Sequence, residues 1–386
     1  MSQENMEIQT DSTTTTRFIR NVLVKALLLF VLLNVFFAVA NPLSILGRIS
    51  AYNFIFPGRT RLPYSENQTR AYSLSLFNLE AMFASHEISG NAKFVDEFRV
   101  LFIGDSSTWG FLAASQDTLT AYINNAELET PSGRRVQAYN LGYPTISLTK
   151  DLLILDHAMQ YKPDMIVWLV TLESFPYEKQ LFTPLVQNNP DRIRELISNH
   201  DLSINPGSEA FVNASFWERS IIGQRRALAD LFRFQLYGFL WAATGVDQYI
   251  PESYDPPQND FEADESYYAL TPETLNQSSI AFDVLDAGIA RAGDVPVLVI
   301  NEPIFISDGV NSELRYNFFY PRWAFDEYRE LMVNQASVNG WIIRDYWDLI
   351  SPGDFTNSAI HMAPSATAKL ASVIGTAILE LLNTGY

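Results

Sequence analysis

The residues best placed for covalent chemistry follow one short apolar run. Arg99-Val100-Leu101-Phe102-Ile103 passes at once into Gly104-Asp105-Ser106-Ser107-Thr108-Trp109-Gly110, which puts Ser106 on a tight turn at the end of a predicted strand. There a hydroxyl can project from the sheet edge, and backbone N–H groups at the start of the following helix can stabilise an oxyanion. A neutral serine needs a base to attack a carbonyl, and the chain has only four histidines. His86 precedes the sheet, His157 falls within an amphipathic helix and His200 lies in a polar insertion, so these three read as surface or core residues. His361 stands apart. It follows Asp354-Phe355-Thr356-Asn357-Ser358-Ala359-Ile360 and precedes Met362-Ala363-Pro364, in a loop after the last predicted strand and before a terminal helix over Ser365–Leu382. The absence of cysteine excludes disulfides, thiolate-zinc sites and a thiol nucleophile. The histidines lack metal-ligand spacing and neither common phosphate-binding glycine loop occurs, so no cofactor and no metal are expected.

The elements that must position Ser106 and His361 alternate between strand and helix. Strands are predicted at Arg99–Ile103, Val136–Asn140, Met165–Val170, Val295–Ile300 and Trp341–Ile343, with helices over Thr149–Tyr161 and Ile280–Ala292. Short apolar runs closed by turn residues suit strands buried on both faces. The expected fold is α/β: three layers, α/β/α, around a parallel sheet of about five strands with flavodoxin-like topology. Active groups then belong at the carboxyl ends of the strands. Those ends read Asp105-Ser106, Asn140-Leu141-Gly142, Thr171-Leu172-Glu173-Ser174, Asn301-Glu302-Pro303 and Asp345. A long insertion, 175–279, separates the third strand from the fourth, and its Trp217–Thr244 portion is helical and aromatic-rich. It reads as a helical cap, with a membrane-contacting hairpin or a substrate lid as alternatives; Arg225, Arg226, Asp230 and Arg233 interrupt it too often for a second span. The acidic, proline-containing Gln248–Tyr268 stretch reads as an exposed loop.

With 386 residues, 47% hydrophobic and 18% charged, the chain is long and apolar enough for a large core. A formal charge of −18 would repel a phosphate backbone, which argues against nucleic-acid binding. The run Asn21–Ala40 carries one charge, Lys25, and is long enough to cross a bilayer as a helix. Arg17, Arg20 and Lys25 at its amino end favour an inside amino terminus. The expected organisation is a cytoplasmic tail (1–20), a transmembrane anchor (21–43), a connector packed on the main domain (44–98) and an extracytoplasmic domain (99–386) holding the insertion. The competing reading is a cleaved signal peptide, because Ala38-Val39-Ala40 has the small-x-small form that a signal peptidase cuts. As an anchor, the helix makes the membrane a partner and other membrane proteins possible ones.

Phe102–Gly110 resembles the first motif block of the SGNH hydrolases, also called GDSL esterases: a three-layer α/β/α family of serine esterases, lipases, carbohydrate O-deacetylases and related acyltransferases. Asn140-Leu141-Gly142 resembles the second block and His361-Met362 the last, so the resemblance spans about 100–382, interrupted by the insertion. It implies Ser106 as nucleophile, His361 as base, and the N–H groups of Ser106 and Gly142 as oxyanion donors. Two positions depart from the family pattern. Where the family has Gly-x-Asn-Asp, with the asparagine as a further oxyanion donor, this chain has Val170-Thr171-Leu172-Glu173. Thr171 or Asn301 can substitute, or the hole has two donors only, at a cost of roughly 2.7 to 4 kcal/mol in transition-state stabilisation. The family's acid stands three residues before the histidine, and Ser358 is there instead. Asp354, Glu302 or a backbone carbonyl is left to orient the imidazole. Glu173, Glu302 and Asp345 also read as buried partners of arginines such as Arg315, Arg322 and Arg344. The implied activity is acyl-ester hydrolysis or O-acyl transfer through an acyl-enzyme, on an acylated small molecule or cell-envelope glycan. The alternatives are a catalytically degenerate scaffold or glycan-binding subunit, and a lipase.

Overall fold

The structure, a computed structural model, describes residues 12–46, 51, 55, 79–84, 86–89, 92–246 and 250–385. The expected tail and connector fall largely outside them. The chain forms two compact units, Met1–Leu46 with Ala214–Phe234, and Gly47–Asn213 with Gln235–Tyr386. In the first, α1 (Ser12–Ala40) is the apolar helix read from the sequence.

The second unit carries the sheet. In chain order its main elements are β1 (Glu97–Ile103), α2 (Ser106–Trp109), α3 (Leu119–Asn125), β2 (Arg135–Asn140), α4 (Leu148–Ala158), β3 (Met165–Val170) and α5 (Pro190–His200). Then come α6 (Arg225–Thr244), whose first half belongs to the first unit, α7 (Phe282–Ala292), β4 (Val297–Asn301), α8 (Arg322–Asn339), β5 (Ile342–Asp345) and α9 (Pro364–Thr384). The strands make one five-stranded sheet in the order β2-β1-β3-β4-β5, parallel throughout. This is the α/β sheet expected, with two offsets. β4 starts at Val297 because Pro296 has no N–H for the ladder, and β5 lies one to two residues later than predicted, with Trp341 packed at its start.

Strand side chains alternate between two cores, which is why uniformly apolar runs are needed. Leu101, Ile103, Ile166, Trp168, Val170, Val297 and Val299 face one side, where α4, α7 and α8 contribute Leu152, Leu155, Leu285 and Phe325. Val100, Phe102, Val136, Val167, Leu169, Leu298 and Ile300 face the other, covered by Ile123 of α3 and by Leu370, Ile374 and Ile378 of α9. The α9 helix is apolar enough to pass for a membrane span, but half of it is buried and its apolar stripe lies on the sheet. From β1 the chain steps first to β2 on one side and then to β3 on the other, so strand order reverses about β1. Ser106 follows that strand, at the switch point where parallel sheets open a crevice.

Close packing between α7 and the sheet makes a test independent of the site. A Cβ on Gly288 would stand 2.6 Å from Cη2 of the fully buried Trp168. We expect Gly288→Ala to cost about 1–3 kcal/mol, read as a lower Tm, while ester turnover at low temperature stays at the wild-type value.

Candidate active site

The nucleophile turn is set by a glycine, a cap and a buried carboxyl group. A side chain on Gly104 would collide with Thr108, so only glycine lets α2 fold back so tightly on the end of β1. Asp105 caps α2 by accepting the Ser107 N–H at 2.8 Å. Gly110, at φ +90°, ends the helix after one turn. Ser106 is the first residue of that turn, so its own N–H has no intrahelical acceptor and is available to a ligand oxygen.

His361 arrives from the other end of the chain. Its Nε2 lies 2.8 Å from Ser106 Oγ, across 255 residues of sequence. The loop that carries it is a short antiparallel hairpin: Phe355 bridges Met362, the Thr356 N–H donates to His361 O at 2.8 Å and the Ala363 N–H donates to Asp354 O at 2.8 Å. Phe355 and Ala359 sink into a small core with Phe305, Ile350 and Ala366, which fixes the hairpin on the sheet. The imidazole also packs on Phe111, with ring centroids 4.8 Å apart. Burial lowers its pKa below the ordinary histidine value, and the nearby Asp105 charge only partly opposes this. A neutral imidazole 2.8 Å from a hydroxyl is a competent general base.

The groups considered as the third member sit elsewhere. Asp354 makes no hydrogen bond to the imidazole among the described residues; its backbone carbonyl closes the hairpin instead. Glu302, at the end of β4, accepts the Ser107 hydroxyl at 2.5 Å. Its burial and the facing Asp105 carboxylate push its pKa well above the usual range, which favours its neutral form, and its hydrogen bond to Ser107 braces the turn. The atom that does face Nδ1 is Asn357 Oδ1, at 3.4 Å. The hairpin explains why: pairing Thr356 with His361 brings the residue four before the histidine alongside the ring, rather than the one three before, Ser358. Sequence reasoning looked for a carboxylate and passed over this amide. A neutral amide oxygen can hold the Nδ1–H tautomer that leaves Nε2 free to accept a proton.

The oxyanion donors also differ from expectation. The Gly142 N–H donates to Asn140 Oδ1 at 2.9 Å, so an oxyanion must compete for it. A Cβ on Gly142 would stand 2.8 Å from the Thr108 carbonyl carbon, so the residue's evident work is to let the end of β2 lie against the backbone of α2. Thr171 is fully buried with its hydroxyl 2.8 Å from Tyr320 Oη, and Asn301 Nδ2 donates to Asp345 at 2.8 Å. Both are tied into the protein. The proposed arginine partners are not the ones found: Glu173 pairs with Lys179, and Asp345 pairs with Arg329 at 2.8 Å. Of the other histidines, His157 meets Arg192 at 2.8 Å beside Phe83, His86 is buried, and His200 ends α5.

Beneath the turn lies a feature that the sequence reading missed. Lys150, fully buried in the first turn of α4, donates to Gly104 O at 2.7 Å and Tyr143 O at 3.3 Å and pairs with Asp151 at 2.5 Å. Its ammonium therefore joins the loops that end β1 and β2. Burial outweighs this pairing for Asp151, whose pKa is pushed up to about 6. The available signal was Lys150-Asp151 in an otherwise apolar helix start.

No protein-family model matches the chain, and no curated protein does. Solved structures do. Est24, a carbohydrate acetylesterase from Sinorhizobium meliloti, matches at 10% identity and a TM-score of 0.36, over 73% of this chain and 99% of that one. A lipase/acylhydrolase from Enterococcus faecalis matches at 13% identity and a TM-score of 0.36, over 74% and 96%. At such scores the likeness lends no weight to any residue's role, and the chemistry rests on the geometry above.

Because the base must be neutral, the acid limb of the kcat/KM profile for ester hydrolysis should fall at an apparent pKa below the ordinary histidine value of 6.5. Asn357→Asp places a carboxylate beside Nδ1 and should move that limb to higher pH. Asn357→Ala should lower kcat by up to roughly tenfold, the scale of one neutral hydrogen bond. A wild-type limb above pH 7 would contradict this assignment of the base. Glu302 gives a separate test. Its pKa is raised above 4.5, so the stability it contributes is present in acid and lost as pH rises. The Tm of Glu302→Gln minus that of wild type should therefore grow as pH rises above 4.5; a constant difference would mean that Glu302 is ionised in the folded state.

Proposed function

We propose that this chain is a serine acyl-ester enzyme, hydrolase or O-acyltransferase, working through an acyl-enzyme on Ser106. One observation carries the reading: a strand-end hydroxyl lies 2.8 Å from the Nε2 of a neutral, half-buried imidazole. In the proposed reaction Ser106 Oγ attacks the acyl carbonyl carbon while its proton passes to His361 Nε2. The negative charge that develops on the carbonyl oxygen is met by the Ser106 N–H, joined by the Gly142 N–H once it leaves Asn140. Collapse of the tetrahedral adduct breaks the ester C–O bond, and His361 returns the proton to the departing alkoxide. Water, or a sugar hydroxyl in the transferase case, then attacks the acyl-serine with His361 again taking the proton.

The proposed substrate is an acylated glycan of the cell envelope. That choice follows from the motif resemblance together with α1, read as a retained anchor with the catalytic unit outside the cytoplasm. A second reading has its own support. With the Gly142 amide, Thr171 and Asn301 all engaged within the protein, the oxyanion hole at rest has one open donor, which suits a scaffold or glycan-binding subunit that keeps the cleft and has lost the chemistry.

Hydrolysis of nitrophenyl acetate by the full chain in detergent separates the two. The enzyme reading expects turnover that falls to background in both Ser106→Ala and His361→Ala, and acetate released from O-acetylated polysaccharide. Wild-type turnover equal to that of both variants would favour the binding role.

A further inference from the structure

The unit formed by α1 and residues 214–234 exposes an apolar surface with no part in ester chemistry. Trp217 is 72% and Phe232 68% exposed, with Phe216 and Ile222 also exposed. Along α6 the exposure continues at every fourth residue, Phe232, Leu236 and Leu240, one stripe of the helix. By the 3.6-residue repeat Arg226 and Arg233 fall on the border of that stripe. Residues 214–234 hold four arginines against Glu218 and Asp230, in a chain whose overall charge is −18. An exposed apolar stripe that includes Phe232, bordered by arginines of which Arg233 pairs with Asp230 at 2.8 Å and preceded by the exposed Phe216 and Trp217, is the composition of a segment lying in a lipid headgroup layer.

The position of this segment along α1 fits the same partner. The Ile222 N–H donates to Asn34 Oδ1 at 3.3 Å, and Asn34 Nδ2 donates to Phe30 O at 2.9 Å. Asn34 is the polar interruption of the apolar run, six residues before the end of α1 at Ala40, or about 9 Å along the axis. Lipid-facing residues such as Leu27, Leu28 and Leu32 lie on its amino-terminal side and are exposed. With Asn21–Ala40 filling the hydrocarbon, the attachment lies about 9 Å inside its outer edge, the depth to which interfacial helices bury their apolar face.

We propose that residues 216–234 lie in the interfacial layer of the bilayer that α1 crosses, with Trp217, Ile222 and Phe232 entering the acyl boundary and the arginines meeting anionic headgroups. The proposal rests on reading α1 as a retained anchor. It gives the insertion a task of its own, a second hold on the membrane surface.

The lack of cysteine makes the test direct. Single substitutions Trp217→Cys, Ile222→Cys and Phe232→Cys in the full chain each take one nitroxide label. Leu28→Cys reports on the anchor and Glu262→Cys on an exposed aqueous loop. The proteins are reconstituted in vesicles of phosphatidylethanolamine and phosphatidylglycerol, and spin relaxation by oxygen is compared with relaxation by a water-soluble nickel chelate. The proposal expects oxygen to dominate at 217, 222 and 232, with an oxygen-to-nickel ratio severalfold above that at 262 and below that at 28. Nickel dominating at all three while position 28 stays in lipid overturns the proposal and leaves the anchor standing. Both reagents excluded at all three overturns it in favour of a protein-covered face. Nickel dominating at position 28 removes the anchor and the proposal with it.

Discussion

A hydroxyl at the end of β1 has to be held within hydrogen-bond distance of an imidazole from the far end of the chain, 255 residues later. Neither residue can find the other locally, so the whole α/β sheet serves as the frame that closes this gap. The parallel arrangement places the end of β1 beside the crevice at the switch point, and α9, packed on the sheet through Leu370, Ile374 and Ile378, starts immediately after the histidine hairpin. A structure in which α9 left the sheet would lose the base and the second core together.

The nucleophile turn is held from below by groups that are costly to bury. Lys150 and Asp151 are fully buried as a pair, and Glu302 and Asp105 face each other beside Ser107. Three buried carboxyl groups near one ammonium would be strongly destabilised if all were ionised. The raised pKa of Glu302 acts against that, and the remaining polar atoms are spent on backbone: Lys150 on the carbonyls of Gly104 and Tyr143, Asp105 on the N–H of Ser107. Removing any one of these groups leaves another without its partner, so they act together as a rigid seat for Ser106.

Most of the fold could be read from the chain because buried parallel strands require unbroken apolar runs, and MIVWLV or VLVIN between turn residues has few other uses. That Ser106 and His361 meet was legible for a similar reason: a strand-end Gly-Asp-Ser is a restricted local geometry, and few histidines were available to face it. The supports of the site were not legible. Asn357 faces the imidazole only because of the register of the hairpin, Glu302 became a brace because Ser107 rather than His361 lies above it, and the Gly142 N–H was taken by Asn140, a hydrogen bond two residues back. Each outcome depends on where a side chain points after packing. Lys150 was hidden because a lysine in a first helical turn ordinarily faces water.

The account stands on the Ser106–His361 pair being an activated nucleophile rather than a buried polar contact. Reaction of the full chain with a fluorophosphonate, followed by intact mass and peptide mapping, addresses this without knowledge of the substrate. The account expects one adduct per chain, mapped to Ser106, with its rate of formation falling to background in His361→Ala. Labelling that is absent, that maps to another serine, or that proceeds equally fast without His361 would contradict it.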